Sequence, residues 1–310
     1  MTLAVLLLAV ALDLAFGDPP NRFHPVAWLG RALAVGRRLL CRGSPPALLF
    51  GGAVLTVGVA ALAALAGALV ETMAQRLGPF GLVLEALVLA CLVSLRGLAA
   101  AARRVAAALE RGELDAARAL VGRDLVSRPT AALDAGQVAS ATVESVAENL
   151  TDSFLAPACF FLVAGLPGVA AYRALNTADA MFGYREGALE HFGKVAARLD
   201  DLANLLPARL AGSAIVAGAA LAGERACLAL TVLRRDRRLT ASPNAGWTMA
   251  AMAGALGVAL DKPGAYRLGD GSLPSAGDIM RSLRVFAWAS AVGALTLAAA
   301  AFGVATRMTP

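Results

Sequence analysis

The sequence predicts an all-α, polytopic integral membrane protein with about 4–6 membrane helices, some short or broken, and further helical segments outside the bilayer. Two observations lead there. Of 310 residues, 58% are hydrophobic and only 16% charged, at a mean hydropathy of +0.67. An average soluble domain carries about a quarter charged residues, so this chain has too little polar surface to cover a core of its size. In addition, two uncharged runs, Ala47–Val70 and Val285–Ala305, each exceed the roughly 20 residues that cross the hydrocarbon as a helix.

Taken in order, Thr2–Phe16 resembles a signal-peptide core, but it lacks a basic n-region, Asp13 interrupts it and no convincing cleavage site follows. It therefore reads as a retained membrane helix. Asp18-Pro19-Pro20 fixes an extended exit from that helix. Phe80–Leu95 is apolar except for Glu85. Phe154–Ala171 is long enough to span, but Gly165-Leu166-Pro167-Gly168 should break it. Leu205–Gly223 holds Pro207 and Arg209, and Ala245–Leu260 is short and rich in Gly and Ala. Broken apolar helices at membrane depth line cavities, because lipid cannot satisfy free backbone groups. Arg96–Asn149 and Glu224–Leu283 read as basic, helical and water-facing; with Gly17–Pro46 they should face the cytoplasm, leaving Glu71–Pro79 outside. No repeat or domain-scale linker is visible, so residues 1–310 read as a single membrane-embedded catalytic domain.

Several chemistries are disfavoured. Only Lys194 and Lys262 among the 28 basic residues are lysines, and no basic stripe is interleaved with aromatics, so the net charge of +6 does not indicate nucleic acid binding. Cys41, Cys91, Cys159 and Cys227 lie far apart, and only His24 and His191 occur, which argues against zinc. Gly187–Lys194 resembles a phosphate loop, but its spacing is wrong and Val195 stands where Ser or Thr is required.

Five segments carry candidate chemistry. In Val143–Asp152, Glu144, Glu148 and Asp152 are spaced i, i+4, i+8, which on an α-helix puts three carboxylates on one face, flanked by Ser145 and Asn149. That set suits a hard cation such as Mg2+ held with substrate phosphate; the alternative is a solvated face paired with arginines from elsewhere. In Tyr172–Arg185, Arg173, Asn176 and Asp179 step by three down one face, with Tyr184 and Arg185 following. In Asp200–Arg209, Asp201 and Asn204 lie i, i+3, and Arg209 sits inside an apolar run. In Asp13–Val26, His24 is a candidate acid or base beside Asp18. In Ser242–Trp247, Ser242, Asn244 and the Gly-containing helix start offer an anion site. For the last four segments, an interhelical polar ladder, an ion pair, a structural His and a plain helix cap are the respective alternatives.

Together, and in this order, the stretches Asp13–Gly30, Val121–Pro157, Gly165–Arg185, Phe192–Leu210 and Ser242–Leu260 resemble the adenosylcobinamide-phosphate synthases of cobalamin biosynthesis, the CobD/CbiB family. The specific motifs are SVAEN with a following Asp, NT-x-D-x-M-x-GYR, RLDD-x-x-N-x-x-PAR and SPNAG. Departures at Pro129, Ser153 and Thr240-Ala241 leave the carboxylates untouched.

The resemblance implies a multi-pass enzyme of the cell (inner) membrane with its active site facing the cytoplasm. Such an enzyme is an ATP-dependent acid–amine ligase joining adenosylcobyric acid to (R)-1-amino-2-propanol or its phosphate. Mg2+ and ATP enter as cofactor and co-substrate, with no permanently bound cofactor. The lipid bilayer and other membrane enzymes of the pathway are the implied partners. On this reading Glu144, Glu148 and Asp152 hold Mg2+, and Asp179 or Asp201 adds ligands or the base. Arg173, Arg185 and Arg209 bind phosphate or carboxylate, while Asp18 and His24 close the site. Asn149, Asn176, Tyr184, Asn204, Ser242 and Asn244 complete the substrate contacts. The competing readings are a transporter built on broken helices and a Mg-dependent membrane prenyl- or phosphotransferase; on the residues without the resemblance, the transferase ranks first.

Overall fold

The computed structural model describes residues 2–308, with side chains through Gly303. The chain is helical almost throughout. Three helical runs are long and apolar enough to cross a membrane: Pro45–Arg76, Ala135–Phe182 and Ala276–Gly303. Thr2–Phe16 and Pro79–Ala90 are shorter apolar helices. The chain forms two compact units, one from residues 1–95 and 156–203, the other from 96–155 and 204–310. Each unit is assembled from two separated stretches, so no linker marks the division in the sequence.

The first unit holds α1 (Thr2–Phe16), α2 (Pro25–Leu40), α3 (Pro45–Arg76) and α4 (Pro79–Ala90), then α8 (Ala156–Phe182), the single turn α9 (Leu189–Phe192) and α10 (Lys194–Ala203). Its core gathers Leu33, Leu48, Leu55, Ala178, Phe182 and Phe192, and Phe182 meets Phe192 edge-on at 5.4 Å between centroids. Large apolar side chains on α3, including Phe50, Val54, Leu62, Leu65 and Leu69, stay exposed, as a lipid-facing helix requires. The expected break in α8 is present: Ala164 and Gly165 leave helical geometry, and Gly165 takes φ +62°, a conformation open to Gly at no steric cost. Pro167 then falls near the start of the resumed helix, where its missing N–H costs least.

The second unit holds α5 (Arg96–Glu110), α6 (Leu114–Asp124), α7 (Ala135–Leu150) and a π-helical turn (Thr151–Leu155). It continues with α11 (Leu205–Leu221), α12 (Ala226–Asp236), α13 (Ala245–Leu256), a hairpin of β1 (Leu260–Lys262) and β2 (Tyr266–Leu268), and α14 (Ala276–Met308). A reciprocal cap starts α7: Gln137 N–H donates to Asp134 Oδ1, and Asp134 N–H donates to Gln137 Oε1. Two sequence expectations are corrected here. The region Arg96–Asn149 is not water-facing throughout, because α7 is buried continuously from Val138 to Ala147; small residues (Ala139, Ser140, Ala141, Ser145, Ala147) let neighbouring helices close around it. Nor is Glu224–Leu283 a basic helical surface: α13 is buried over nearly its whole length, and the antiparallel hairpin, in register Leu260↔Leu268, interrupts the helices.

Candidate functional site

The sequence-predicted residues divide between the units. In the second unit, α7 presents Glu144 among three partners. Ser140 Oγ donates to Glu144 Oε1 at 2.7 Å, Tyr266 OH donates to Oε2 at 2.8 Å, and Arg128 Nη2 lies 3.6 Å from Oε2. Ser140 in turn accepts from the Asp261 N–H at 2.8 Å, which fastens the hairpin to α7. Burial, then the charges of Glu144 and Glu148, push the Tyr266 phenol well above its usual pKa, so it stays a donor. Glu148 is half-buried one turn further on, close enough for its charge to act on Tyr266.

Asn149 is built into the helix. Its Nδ2 donates to the Ser145 carbonyl at 2.9 Å and reaches Ser145 Oγ at 3.2 Å, and its Oδ1 accepts from Ser153 Oγ at 2.7 Å. Ser145 Oγ itself donates to the Leu125 carbonyl at 3.0 Å. The Ser145–Asn149–Ser153 ladder runs into the π-turn that carries Asp152. Of the expected metal set, Glu144 and Glu148 lie one turn apart on α7 and Asp152 follows in the π-turn. Both Glu144 oxygens already accept hydrogen bonds, from Ser140 and Tyr266. Among the described residues no group of three His, Cys, Asp or Glu side chains is gathered to hold a metal ion.

Also in the second unit, Arg209 Nη1 donates to Asn244 Oδ1 at 2.6 Å and to the Leu205 carbonyl at 2.8 Å. Asn244 N–H donates to Ser242 Oγ at 3.2 Å, and Thr240 Oγ1 donates to the Ser242 carbonyl at 2.8 Å. The structure thus joins two separated motifs, PAR and SPNAG, through Arg209 and Asn244. Asn204 is buried just before α11.

In the first unit, Asp18 is the hub of a polar group. Ser94 Oγ donates to Asp18 Oδ2 at 2.9 Å, and His24 Nε2 stands 3.4 Å from Oδ1. Val26 N–H donates to His24 Nδ1 at 3.2 Å, which assigns the imidazole proton to Nε2, facing Asp18. His24 thus caps α2 while presenting an oriented imidazole. Burial alone would raise the Asp18 pKa; hydrogen bonds from His24 and Ser94 and the charge of Arg173 outweigh it and hold the carboxyl below the usual aspartate value. Arg173 Nη1 donates to Asn176 Oδ1 at 3.3 Å, as their spacing on α8 requires, and Asn176 Nδ2 donates to Asp200 Oδ1 at 3.3 Å.

Asp179 is half-buried in the last turn of α8, where its carbonyl accepts from Gly183 N–H at 2.7 Å. Tyr184 OH donates to the Ala180 carbonyl at 3.3 Å, Arg185 is exposed in the following loop, and Asp201 is half-buried on α10.

Sequence reasoning passed over Ser94, Arg128, Ser140, Asp200, Trp247 and Tyr266 as site residues. Asp200, not its neighbour Asp201, is the one bonded to Asn176. A signal for Tyr266 was present: Lys262-Pro263-Gly264-Ala265 is a turn sequence, and it forms one, with Ala265 N–H donating to the Lys262 carbonyl at 2.9 Å and Gly264 at φ +74°.

The order of these motifs extends to whole-chain similarity. The profile of the CobD/Cbib protein family matches residues 6–295. The chain belongs to the CobD/CbiB family. Its relatives include a probable cobalamin biosynthesis protein CobD of Methanothermobacter thermautotrophicus, 42% identical over 267 residues and 86% of each chain. The cobalamin biosynthesis protein CobD of Brucella suis is 41% identical over 272 residues, 85% of this chain and 83% of the relative. That of Rhizobium meliloti is 39% identical over 317 residues, 96% and 97% of the two chains. No solved structure matches. This member of the CobD/CbiB family is thus a cobalamin-biosynthesis protein with membrane helices, and its family motifs coincide with the polar groups around Asp18, Glu144 and Arg209.

Proposed function

We propose that the chain joins a propionate carboxylate of adenosylcobyric acid to the amino group of (R)-1-amino-2-propanol or its phosphate, giving adenosylcobinamide or its phosphate. The observation that carries this reading is the family match across residues 6–295. The buried acidic, amide and guanidinium groups of its motifs supply suitable chemistry. A carboxylate does not condense with an amine at neutral pH, because the leaving group would be oxide and the amine is protonated. ATP, as co-substrate, supplies the activation. A carboxylate oxygen attacks the γ-phosphorus, ADP leaves, and an acyl phosphate forms. The amine, having lost its ammonium proton to a base, attacks the acyl carbon and loses its remaining extra proton to the departing phosphate or to solvent. Phosphate departs with the original carboxylate oxygen.

Glu148, Asp179 and Asp201 are the candidate bases, each a half-buried carboxylate. Arg173, Arg185 and Arg209 are the candidate anion binders, being permanently charged with several donors each. Asp18 orients the His24 imidazole at the N-terminal side. The chemistry faces the cytoplasm, where ATP is found, in keeping with the basic loops. Mg2+ is assigned no resident three-carboxylate site, since none is gathered among the described residues, and no step above runs through it.

Growth tests this directly. A bacterial mutant lacking this condensation uses cobinamide but not cobyric acid. Expression of the chain restores growth on cobyric acid; a well-expressed chain that fails to do so overturns the proposal.

A further inference from the structure

In the second unit, Trp247 receives two arginines. The guanidinium carbon of Arg209 lies 5.0 Å from the indole centroid and that of Arg237 lies 5.1 Å from it. Each distance is in the range of cation–π attraction, but the two cations also repel each other, and Arg237's charge acts on Arg209. Several other arginines of the unit meet carboxylates: Arg235 meets Asp236 and Asp270, Arg281 meets Glu224 and Asp278, and Arg128 meets Glu144. Arg209 and Arg237 make no ion pair among the described residues. Arg209 uses Nη1 on Asn244 and the Leu205 carbonyl, and Arg237 uses Nη1 on the Arg234 carbonyl, so each keeps donors for another acceptor.

The arrangement is held in place by backbone. A Cβ on Gly246 would stand 2.3 Å from the Arg237 carbonyl oxygen, and one on Gly212 would stand 2.8 Å from the Trp247 carbonyl oxygen. Both glycines thus let α13 close against α11 and the end of α12, fixing Trp247 beside the two arginines. Gly246 N–H donates to Thr240 Oγ1 at 3.1 Å, which adds a further tie. Two rigidly placed, like-charged guanidiniums with spare donors and no counter-ion are complementary to a compact, multiply charged anion.

We infer that Arg209, Trp247 and Arg237 form a binding site for the phosphoryl group of a substrate, with Arg237 and Trp247 as specificity residues that the family motif alone does not name. The inference rests on the proposed reaction for the identity of the substrate, though not for the existence of the site. Two substrates carry that chemistry: the nucleotide, through its polyphosphate, and the amine, when phosphorylated.

The test uses the full chain in detergent with Trp28→Phe and Trp288→Phe, which leaves Trp247 as the sole tryptophan of the three. Pyrophosphate is titrated in EDTA while Trp247 emission is followed. A saturable change is expected. Arg237→Gln weakens it by about tenfold or more, as expected for losing one charge-assisted contact, while Arg237→Lys retains most of it. Displacement by ATP assigns the site to the nucleotide, and displacement by aminopropanol phosphate assigns it to the amine; either supports the site. The absence of a saturable change, or equal binding by folded Arg237→Gln, overturns it. A chain that binds pyrophosphate here but fails the growth test keeps this site and loses the proposed reaction. A chain that restores growth without binding does the reverse.

Discussion

The hydroxyl of Tyr266 donates to Oε2 of Glu144 at 2.8 Å, joining residues 122 positions apart. With the Asp261 N–H on Ser140 Oγ, this bond holds the hairpin against the family's SVAEN helix. It also satisfies a carboxylate with 6% exposure, which would be costly to leave unpaired. Tyr266→Phe removes the donor and keeps the ring. The expected loss is roughly 1–3 kcal/mol of stability, read as a lower melting temperature of the purified chain in detergent; an unchanged melting temperature contradicts the role given to this pair.

Acid should release a second tie on the hairpin. Asp236 accepts from Arg235 Nε at 2.6 Å and from Gly269 N–H at 2.8 Å. The hydrogen bond from Arg235 is the main cause of its lowered pKa; burial opposes it, and Gly269 and the Arg235 charge add to it. Since the folded value lies below the unfolded one, about 3.9, the stabilisation is full above that pH and is lost as pH falls through the folded value. The stability gap between the parent and Asp236→Asn should therefore be wide at pH 7 and narrow at pH 3 in thermal melts. A gap that does not shrink on acidification contradicts the assignment.

Glu148→Gln tests the chemistry one helical turn beyond Glu144. Replacing a base that moves a proton should lower turnover by on the order of a hundredfold, measured on the folded variant at matched expression. Full ATP-dependent activity in this variant removes Glu148 from the mechanism.

Gly246→Ala probes the packing that positions Trp247. Its methyl carbon would enter the space of the Arg237 carbonyl oxygen, so α13 must move. A cost of about 1–3 kcal/mol is expected, together with a shift in Trp247 emission. A variant as stable as the parent, with unshifted emission, contradicts the close approach.

Much of this was legible where the signal is local. Thr2–Phe16 is α1 with the same bounds, Ala47–Val70 lies inside α3, and Gly165 breaks α8 as its composition requires. The polar motifs marked segments that do carry buried polar groups. What stayed hidden depends on partners far along the chain. Periodicity does not say that α7 is buried all round, because that depends on which helices close on it. Three-residue strands are too short to show an alternation, so only the Pro263-Gly264 turn hinted at the hairpin and hence at Tyr266. The π-turn at Thr151–Leu155 forms without a proline or glycine to announce it. Asp200 and Asp201 differ only in helix face, and it was packing against α8 that placed Asp200 on Asn176.

The most direct measurement uses membranes containing the chain, adenosylcobyric acid labelled with 18O in its carboxylates, aminopropanol phosphate and ATP, followed by mass spectrometry. The account predicts a corrinoid with one new amide bond and one 18O atom in the inorganic phosphate released for each amide formed. Uptake or retention of unaltered corrinoid, or amide formation without label in the phosphate, would contradict it.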